Sequence, residues 1–211
     1  MNVGKQRPRK RAYRLSSFKE GGILPTGRPF SQYVETLGLE PIKLRGKTVI
    51  DVASGYSNFA KECHRRGINA YAVDIADVML ALTNKETGRF RKDSTGHSIA
   101  VAGEAAALPF ATASADLVVS HYGIRHAKNL HNLKICIKES LRILKRDGKV
   151  RFNPPHWVWR NDEEIQRTGK FLKEELADWL LKNGFKIETH WPSYLVIKNT
   201  GNLKKLNVEA N

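Results

Sequence analysis

The chain has 211 residues, 41% hydrophobic and 27% charged, enough for one good core and too few for two. No apolar run approaches the length that spans a bilayer, and the basic opening MNVGKQRPRKRAYR lacks the apolar stretch of a secretory signal. The sequence therefore reads as cytoplasmic, with no membrane partner. A formal net charge of +15 is the compositional outlier, and it is unevenly spread: residues 1–45 hold ten Lys/Arg against three Asp/Glu, 46–115 eight against seven, and 116–211 eighteen against eleven. Two basic ends around a near-neutral middle favour an anionic partner. Cys63 and Cys136 lie far apart in helical-looking segments and read as small buried hydrophobes. His121, His126 and His131 stand five apart, which scatters them around a helix, so no metal is implied.

The polar, basic residues 1–20 are expected to be mobile or to order on a partner. SQYVETLGL reads as a short helix leading into the domain, which is set at 46–211 after an arm and helix over 1–45. TVIDVA is a continuous apolar strand, SNFAKECHRRG a helix ended by Gly67, and NAYAVDI a second strand. A helix follows around ADVMLALTNKETG, then strands in HSIAVAGEA and ADLVVSHYG. LHNLKICIKESLRILKRDG is the clearest helix, with Leu133, Ile137, Leu141 and Leu144 on one face. Lys134, Lys138, Arg142 and Lys145 form a basic stripe beside them, more simply a solvated face than a binding path. GKVRFN is a fifth strand, KEELADWLLKNG a helix, and FKIETHW with YLVIKN a closing antiparallel pair. Strands alternating with helices call for an α/β, doubly wound, mostly parallel sheet covered on both faces. Here it has seven strands and a C-terminal antiparallel hairpin.

Ligands of such sheets sit beyond the strand carboxyl ends near the switch point. VIDVASGYSNFA occupies that place. Asp51 ends the strand, Gly55 lets the backbone turn beneath a ligand, and Ser57 or Asn58 can cap the next helix. A dinucleotide would want G-x-G-x-x-G for its phosphates, whereas Gly55 is flanked here by Ala53 and Ser57. A cofactor without phosphates needs fewer close backbone approaches, and S-adenosylmethionine (SAM) is such a cofactor. Asp74, with Ile75 beside it, closes the second strand where a carboxylate can accept ribose hydroxyls. Glu104 follows the third strand, able to take an adenine amino group, with the Ala105 N–H for a ring nitrogen.

These segments resemble the SAM-dependent class I methyltransferases of Rossmann-like fold, and within them the ubiquinone/menaquinone C-methyltransferase-like (methyltransferase type 11) group. DVASGYS is similar to its D-x-[GA]-x-G-x-G loop, GEAAALPFATASADLVV to its G-D-A-x-x-L-P-F segment, YGIRHAKN to F-G-[LI]-R-N-V-x-D, and ESLRILKRDGKV to E-x-x-R-V-L-K-P-G-G. The resemblance implies an enzyme with Asp51 and Gly55 at the methionine moiety, Asp74 at the ribose, and Glu104 and Ala105 at the adenine. It also places Ser120 and His121 along the pocket.

The acceptor is less legible. The arm KQRPRKRAYR can follow a phosphate backbone, which favours RNA. A small-molecule acceptor closed in by the aromatic segment around Trp157 and Trp159 is the alternative, and a catalytically inactive SAM-binding interaction module is a third reading. RFNPPHW has the flavour of the tetrapeptide with which amino-methylating enzymes hold an NH₂ group. It follows the fifth strand, however, one unit late for that chemistry, and its two prolines make a rigid strand exit. His121 as a possible base and Tyr122 as an acceptor-orienting group are therefore expected nearest the methyl group. Asn153, His156 and Trp157 are expected to form an outer wall.

Overall fold

In the computed structural model, residues 28–55, 57–75, 99–124, 130–153, 175–190 and 194–200 are described. The basic arm, the helix expected at 76–88, and His156, Trp157 and Trp159 lie outside them. A short helix α1 (Phe30–Thr36) and a 3-10 turn (Pro41–Leu44) lead into β1 (Thr48–Val52), α2 (Phe59–Arg65), β2 (Asn69–Asp74), β3 (Ala100–Ala102) and β4 (Ala115–Ser120). Helix α3 (Leu130–Ile143), β5 (Leu144–Phe152), α4 (Ala177–Lys182), β6 (Lys186–His190) and β7 (Tyr194–Lys198) complete the order.

The seven strands run β3-β2-β1-β4-β5-β7-β6 across one sheet. Pairings from β3 to β5 are parallel, while β7 is antiparallel to both β5 and β6. The closing pair is thus a hairpin, as expected, with its second strand inserted next to β5. The chain moves outward from β1 to β3, then returns to the other side of β1 as β4, so the switch point falls between β1 and β4.

Side-chain alternation divides the core into two layers. Ile50, Val52, Val118, Val150 and Phe152 face α3 and α4, where Leu133, Ile137, Leu141 and Leu180 meet them. Val49, Ala70, Ala72, Leu117 and Val119 point the other way, against Phe59, Ala60 and Cys63 of α2 and Tyr33, Leu37 and Leu39 of the α1 segment. The boundary expected at 45/46 is therefore no division of the core, because the residues of α1 share an apolar cluster with β1, β2 and β4. Helix α2 ends as its sequence requires. Gly67 takes φ 72° while the Ile68 and Gly67 N–H groups donate to the carbonyls of Cys63 and His64, a Schellman stop.

Two expectations change in detail. The long helix stops at Ile143 rather than running to Gly148, because Leu144 already pairs with Ala115 and the register jumps before Leu117 meets Lys149. Residues 145–148 form the bulge between those pairings, with Asp147 in the left-handed region at φ 64°. The basic stripe is largely engaged internally. Arg142 pairs with Glu139 at 2.8 Å and donates to the Leu108 carbonyl at 3.0 Å, Lys145 pairs with Asp116 at 2.9 Å, and Lys134 lies over the Trp179 ring. Among the described residues no helix is long and apolar enough to cross a membrane.

Leu37 has no exposed surface. Leu37→Ala should lower unfolding free energy by about 2–4 kcal/mol, read by urea denaturation. A loss near zero would mean that residues 28–45 are an appendage and not part of this core.

Candidate cofactor and acceptor site

The switch point is built on a buried carboxylate. Asp51, next to last in β1, faces α1 and α2 with no exposed surface, and the Tyr33 hydroxyl donates to its Oδ2 at 2.8 Å. Its Oδ1 is buried without a hydrogen-bond partner. Burial pushes the Asp51 carboxyl up to about 7, against the opposing pull of the Arg28 guanidinium and the Tyr33 hydroxyl. Burial likewise lifts the Tyr33 phenol well above its ordinary range, with the Asp51 charge adding to it. Arg28 holds two site loops at once, donating to the backbone carbonyls of Ser54 and His121.

The turn after β1 is strained and then pinned. Ala53 occupies the left-handed region at φ 53° and Gly55 at φ 54°. The conformation disfavours Ala and suits Gly. The Ser54 N–H donates to the Val73 carbonyl at 2.9 Å and the Gly55 N–H to Asp74 Oδ2 at 2.7 Å, tying the turn to the end of β2. Gly123 completes the fit, since a Cβ there would stand 2.5 Å from both the Cβ and the carbonyl oxygen of Ala53.

Above this turn lies a cavity of about 520 Å³ lined by Ala53, Asp74, Ile75, Gly103, Glu104, Ala105, Ala106, Asn132, Ile135 and Cys136. Its floor comes from the ends of β1, β2 and β3, and one wall from the first turns of α3. The Glu104 loop is held by a 3.0 Å bond from the Ala107 N–H to the Glu104 carbonyl. Glu139 anchors the same loop from α3 by accepting the Leu108 N–H at 2.8 Å.

Of the residues singled out in the sequence, Ala53, Asp74, Ile75, Glu104 and Ala105 line this one cavity. Asp51 and Gly55 support its floor. Ser120 lies deeper, where its Oγ accepts the Ile124 N–H at 2.8 Å. His121, the possible base of the sequence reading, stands just after β4. Its ring is wholly buried, packed 4.5 Å from the Tyr33 ring and 4.2 Å from that of Tyr122, so it supports the site from below. Tyr122 is half-buried, with its backbone in the left-handed region at φ 63°. Asn153 stabilises that conformation by accepting the Tyr122 N–H on Oδ1 at 3.1 Å, while its own N–H donates to the Ser120 carbonyl at 3.3 Å. This is a structural use of a buried Asn153, which was expected in an outer wall of the acceptor pocket; the two prolines of RFNPPHW lie outside the described residues.

Sequence reasoning missed Arg28 and Tyr33, which reach the site from a segment read as an arm and a lead-in helix. It also missed Asn132, Ile135 and Cys136. Their i, i+3, i+4 spacing marks one helical face, but the adjacent leucine stripe was the stronger periodic signal.

The donor set suits a cationic cofactor without phosphates. Asp74 and Glu104 can accept hydrogen bonds from ribose hydroxyls and an adenine amine, and the volume lies within the roughly 300–1,000 Å³ of small-molecule sites. The orphaned Asp51 Oδ1 offers an acceptor for an ammonium beneath the turn.

This sheet order with its inserted antiparallel strand is that of the class I SAM-dependent methyltransferase fold. Residues 50–152 match the family model described as a methyltransferase domain. The chain is 33% identical over 106 residues to a demethylmenaquinone methyltransferase of Thermobifida fusca, covering 50% of this chain and 42% of that protein. It is 34% identical over 115 residues to a ubiquinone/menaquinone biosynthesis C-methyltransferase of Sinorhizobium fredii, covering 53% and 43%. The chain thus spans less than half the length of these curated relatives. Its fold is also that of a SAM-dependent methyltransferase of Methanosarcina mazei, with a TM-score of 0.57 at 15% identity over 78% of this chain and 99% of the other.

Two outcomes are expected. Asp74→Ala should weaken SAM binding by about 1–3 kcal/mol in calorimetry, since a buried hydrogen-bonding set loses its acceptor. Unchanged affinity in a folded variant would overturn the ribose assignment. The second concerns pH. A carboxyl raised on folding binds its proton more tightly in the folded state. Asp51 therefore stabilises the free protein below its unfolded value of 3.8, and that contribution is lost as pH rises through about 7. Asp51→Asn should gain stability relative to wild type between pH 5 and 8, on the order of 2–4 kcal/mol, in urea unfolding at the two pH values. A difference that does not change with pH would overturn it.

Proposed function

We propose that this chain transfers a methyl group from SAM to an acceptor carried on RNA. The first half rests on one observation: Asp74 and Glu104, on successive strand ends, line a single cavity over a turn whose Gly55 N–H is fixed to Asp74. In this reading Asp74 accepts the ribose hydroxyls, Glu104 the adenine amino group, and the Ala105 N–H meets a ring nitrogen. Ile75, 59% exposed, offers an apolar surface to the base, and Asp51 Oδ1 accepts the methionine ammonium. When bound, the cofactor supplies an electrophilic methyl group on a sulfonium. The chain's own task is then to exclude water and hold the acceptor in line, which does not require a general base. Tyr122, fixed by Asn153, is the side chain best placed to orient the acceptor.

The RNA half is supported by charge. The cavity carries carboxylates, yet the chain as a whole is at +15, with eleven Lys/Arg against three Asp/Glu in residues 1–49, ahead of the methyltransferase match. A small-molecule acceptor is the second reading, favoured by the quinone-pathway names of the relatives. Those names bear least on the acceptor, because the family match ends at Phe152, before the segment from Asn153 to Trp157. An inactive SAM-binding module, the third reading, is disfavoured by the intact set of cofactor groups.

Incubation with methyl-labelled SAM, total RNA and a quinone-containing lipid extract separates the three. Label should appear in RNA. Deleting residues 1–14, with six Lys/Arg, should flatten the salt dependence of RNA binding, because each neutralised phosphate releases counterions. Label confined to the lipid extract would install the small-molecule reading, and cofactor binding without any transfer would install the third.

A further inference from the structure

The two faces of the sheet are clothed differently at the β5-β7-β6 end. Ile187, Leu195, Ile197, Val150 and Phe152 point to the α3/α4 core. On the opposite face the end of the α1 segment packs against Tyr194 and accepts from Arg151 through the Leu37 carbonyl, while beyond it Lys186, Glu188 and His190 are exposed. Register places like charges abreast there. Lys149 pairs with Lys198 on β7, and Lys198 pairs with Lys186 on β6, so three ammonium groups form a row across three strands. Directly opposed like charges destabilise a sheet. The row is offset on its own face by Glu188, which pairs with Lys198. Among the described residues Lys149 and Lys186 make no ion pair.

The row continues into a groove of about 380 Å³ between β5 and the 3-10 turn, lined by Lys43, Lys47, Arg146, Lys149 and Arg151 among others. The carboxylates of that groove include Glu40, which is paired with Lys43, and Asp116, which is shared by Lys47 and Lys145. Asp147 also lines it. Cations remain in excess across both regions.

A stacked column stands beside the row. The Arg151 guanidinium lies over the Tyr194 ring at 5.5 Å, and the His190 ring stacks on Tyr194 at 4.5 Å and 14°. His190 is exposed, so the column ends in a flat ring open to solvent. A cationic track beside a stacking ring is the pairing with which proteins hold unpaired nucleotides, phosphates on the track and a base on the ring. A duplex keeps its bases stacked internally and has no use for the ring, and an acidic peptide has none either.

We propose that the lysine row across β5, β7 and β6, through Lys149, Lys186, Lys198 and His190, is a docking surface for single-stranded RNA. This deepens the RNA reading and rests on it for the occupant, but it is tested by binding alone, without methyl transfer. The measurement is fluorescence anisotropy of the full chain with a labelled single-stranded RNA of about 15 nucleotides, titrated across about 50–200 mM salt. Replacing Lys149, Lys186 and Lys198 together by Gln should weaken binding about tenfold or more at the lowest salt. The slope of log K against log salt should also shrink by about 2, near 0.7 for each lost phosphate contact. His190→Ala should weaken binding equally at every salt, leaving the slope alone. The corresponding Lys→Arg triple variant should keep both affinity and slope. SAM affinity, read by calorimetry, should be unchanged in all three and reports folding independently. An unchanged slope in the Gln variant overturns the proposal, as does tighter binding of a polyglutamate peptide or of anionic vesicles than of RNA. If the face binds RNA but no methyl group reaches it, the docking surface stands and the acceptor assignment falls.

Discussion

The structure turns on one carboxylate buried at the end of β1. Asp51 is removed from water at the point where the sheet reverses its winding order, and desolvation alone would expel its charge. The Tyr33 hydroxyl and the field of Arg28 oppose that cost, and both come from the segment before β1. This explains why α1 belongs to the domain. The Tyr33 ring lies stacked on Phe59 of α2 at 4.4 Å and tilted against His121 after β4 at 4.5 Å. The same residue that donates to one oxygen of the carboxylate therefore sets the distance between two loops around the cavity.

Strain and its compensation follow from that arrangement. Ala53 and Tyr122 hold positive φ without being glycine, at a cost of order 1–3 kcal/mol each. Each is held by a specific bond nearby: the turn containing Ala53 by Val73 and Asp74, and Tyr122 by Asn153. Gly123 is required because Ala53 leaves no room for a Cβ. Backbone carbonyls and N–H groups are thus fixed in place before any ligand arrives, so that a ligand need not order them on binding.

Charge is distributed by layer rather than at random. Carboxylates gather at the cofactor cavity, while cations gather on the face of β5-β7-β6 beside the end of the α1 segment. Part of the positive charge is consumed internally, as Arg142 and Lys145 show. The excess that remains on Lys149 and Lys186 has no such use within the described fold. A sheet face with lysines abreast is less stable than one with alternating signs, and a polyanion in contact with it would remove that penalty.

Much of the fold could be read from the chain itself. Alternation of apolar strands with amphipathic helices is a local property, and the acids at the strand ends are placed by strand length alone, so Asp51, Asp74 and Glu104 were legible. The Gly67 stop of α2 was legible for the same reason. The partners of Asp51 were not, because Tyr33 lies eighteen residues away and nothing in local periodicity reports a contact across the sheet. His121 looked chemically available because a histidine after a strand end resembles a site residue, and only packing between two tyrosine rings decided that it is buried. Asn153 carries an amide in either reading, and its bond to the Tyr122 N–H appeared once β4 and β5 were set side by side. The lysine row exists only through register: Lys149, Lys186 and Lys198 are scattered along the sequence and become neighbours because β7 inserts between β5 and β6. Sequence determined which segments are strands, helices and turns and which ends carry acids, since these depend on neighbours along the chain. Tertiary structure alone decided which charges are buried, paired or left facing solvent, since those depend on neighbours across the sheet.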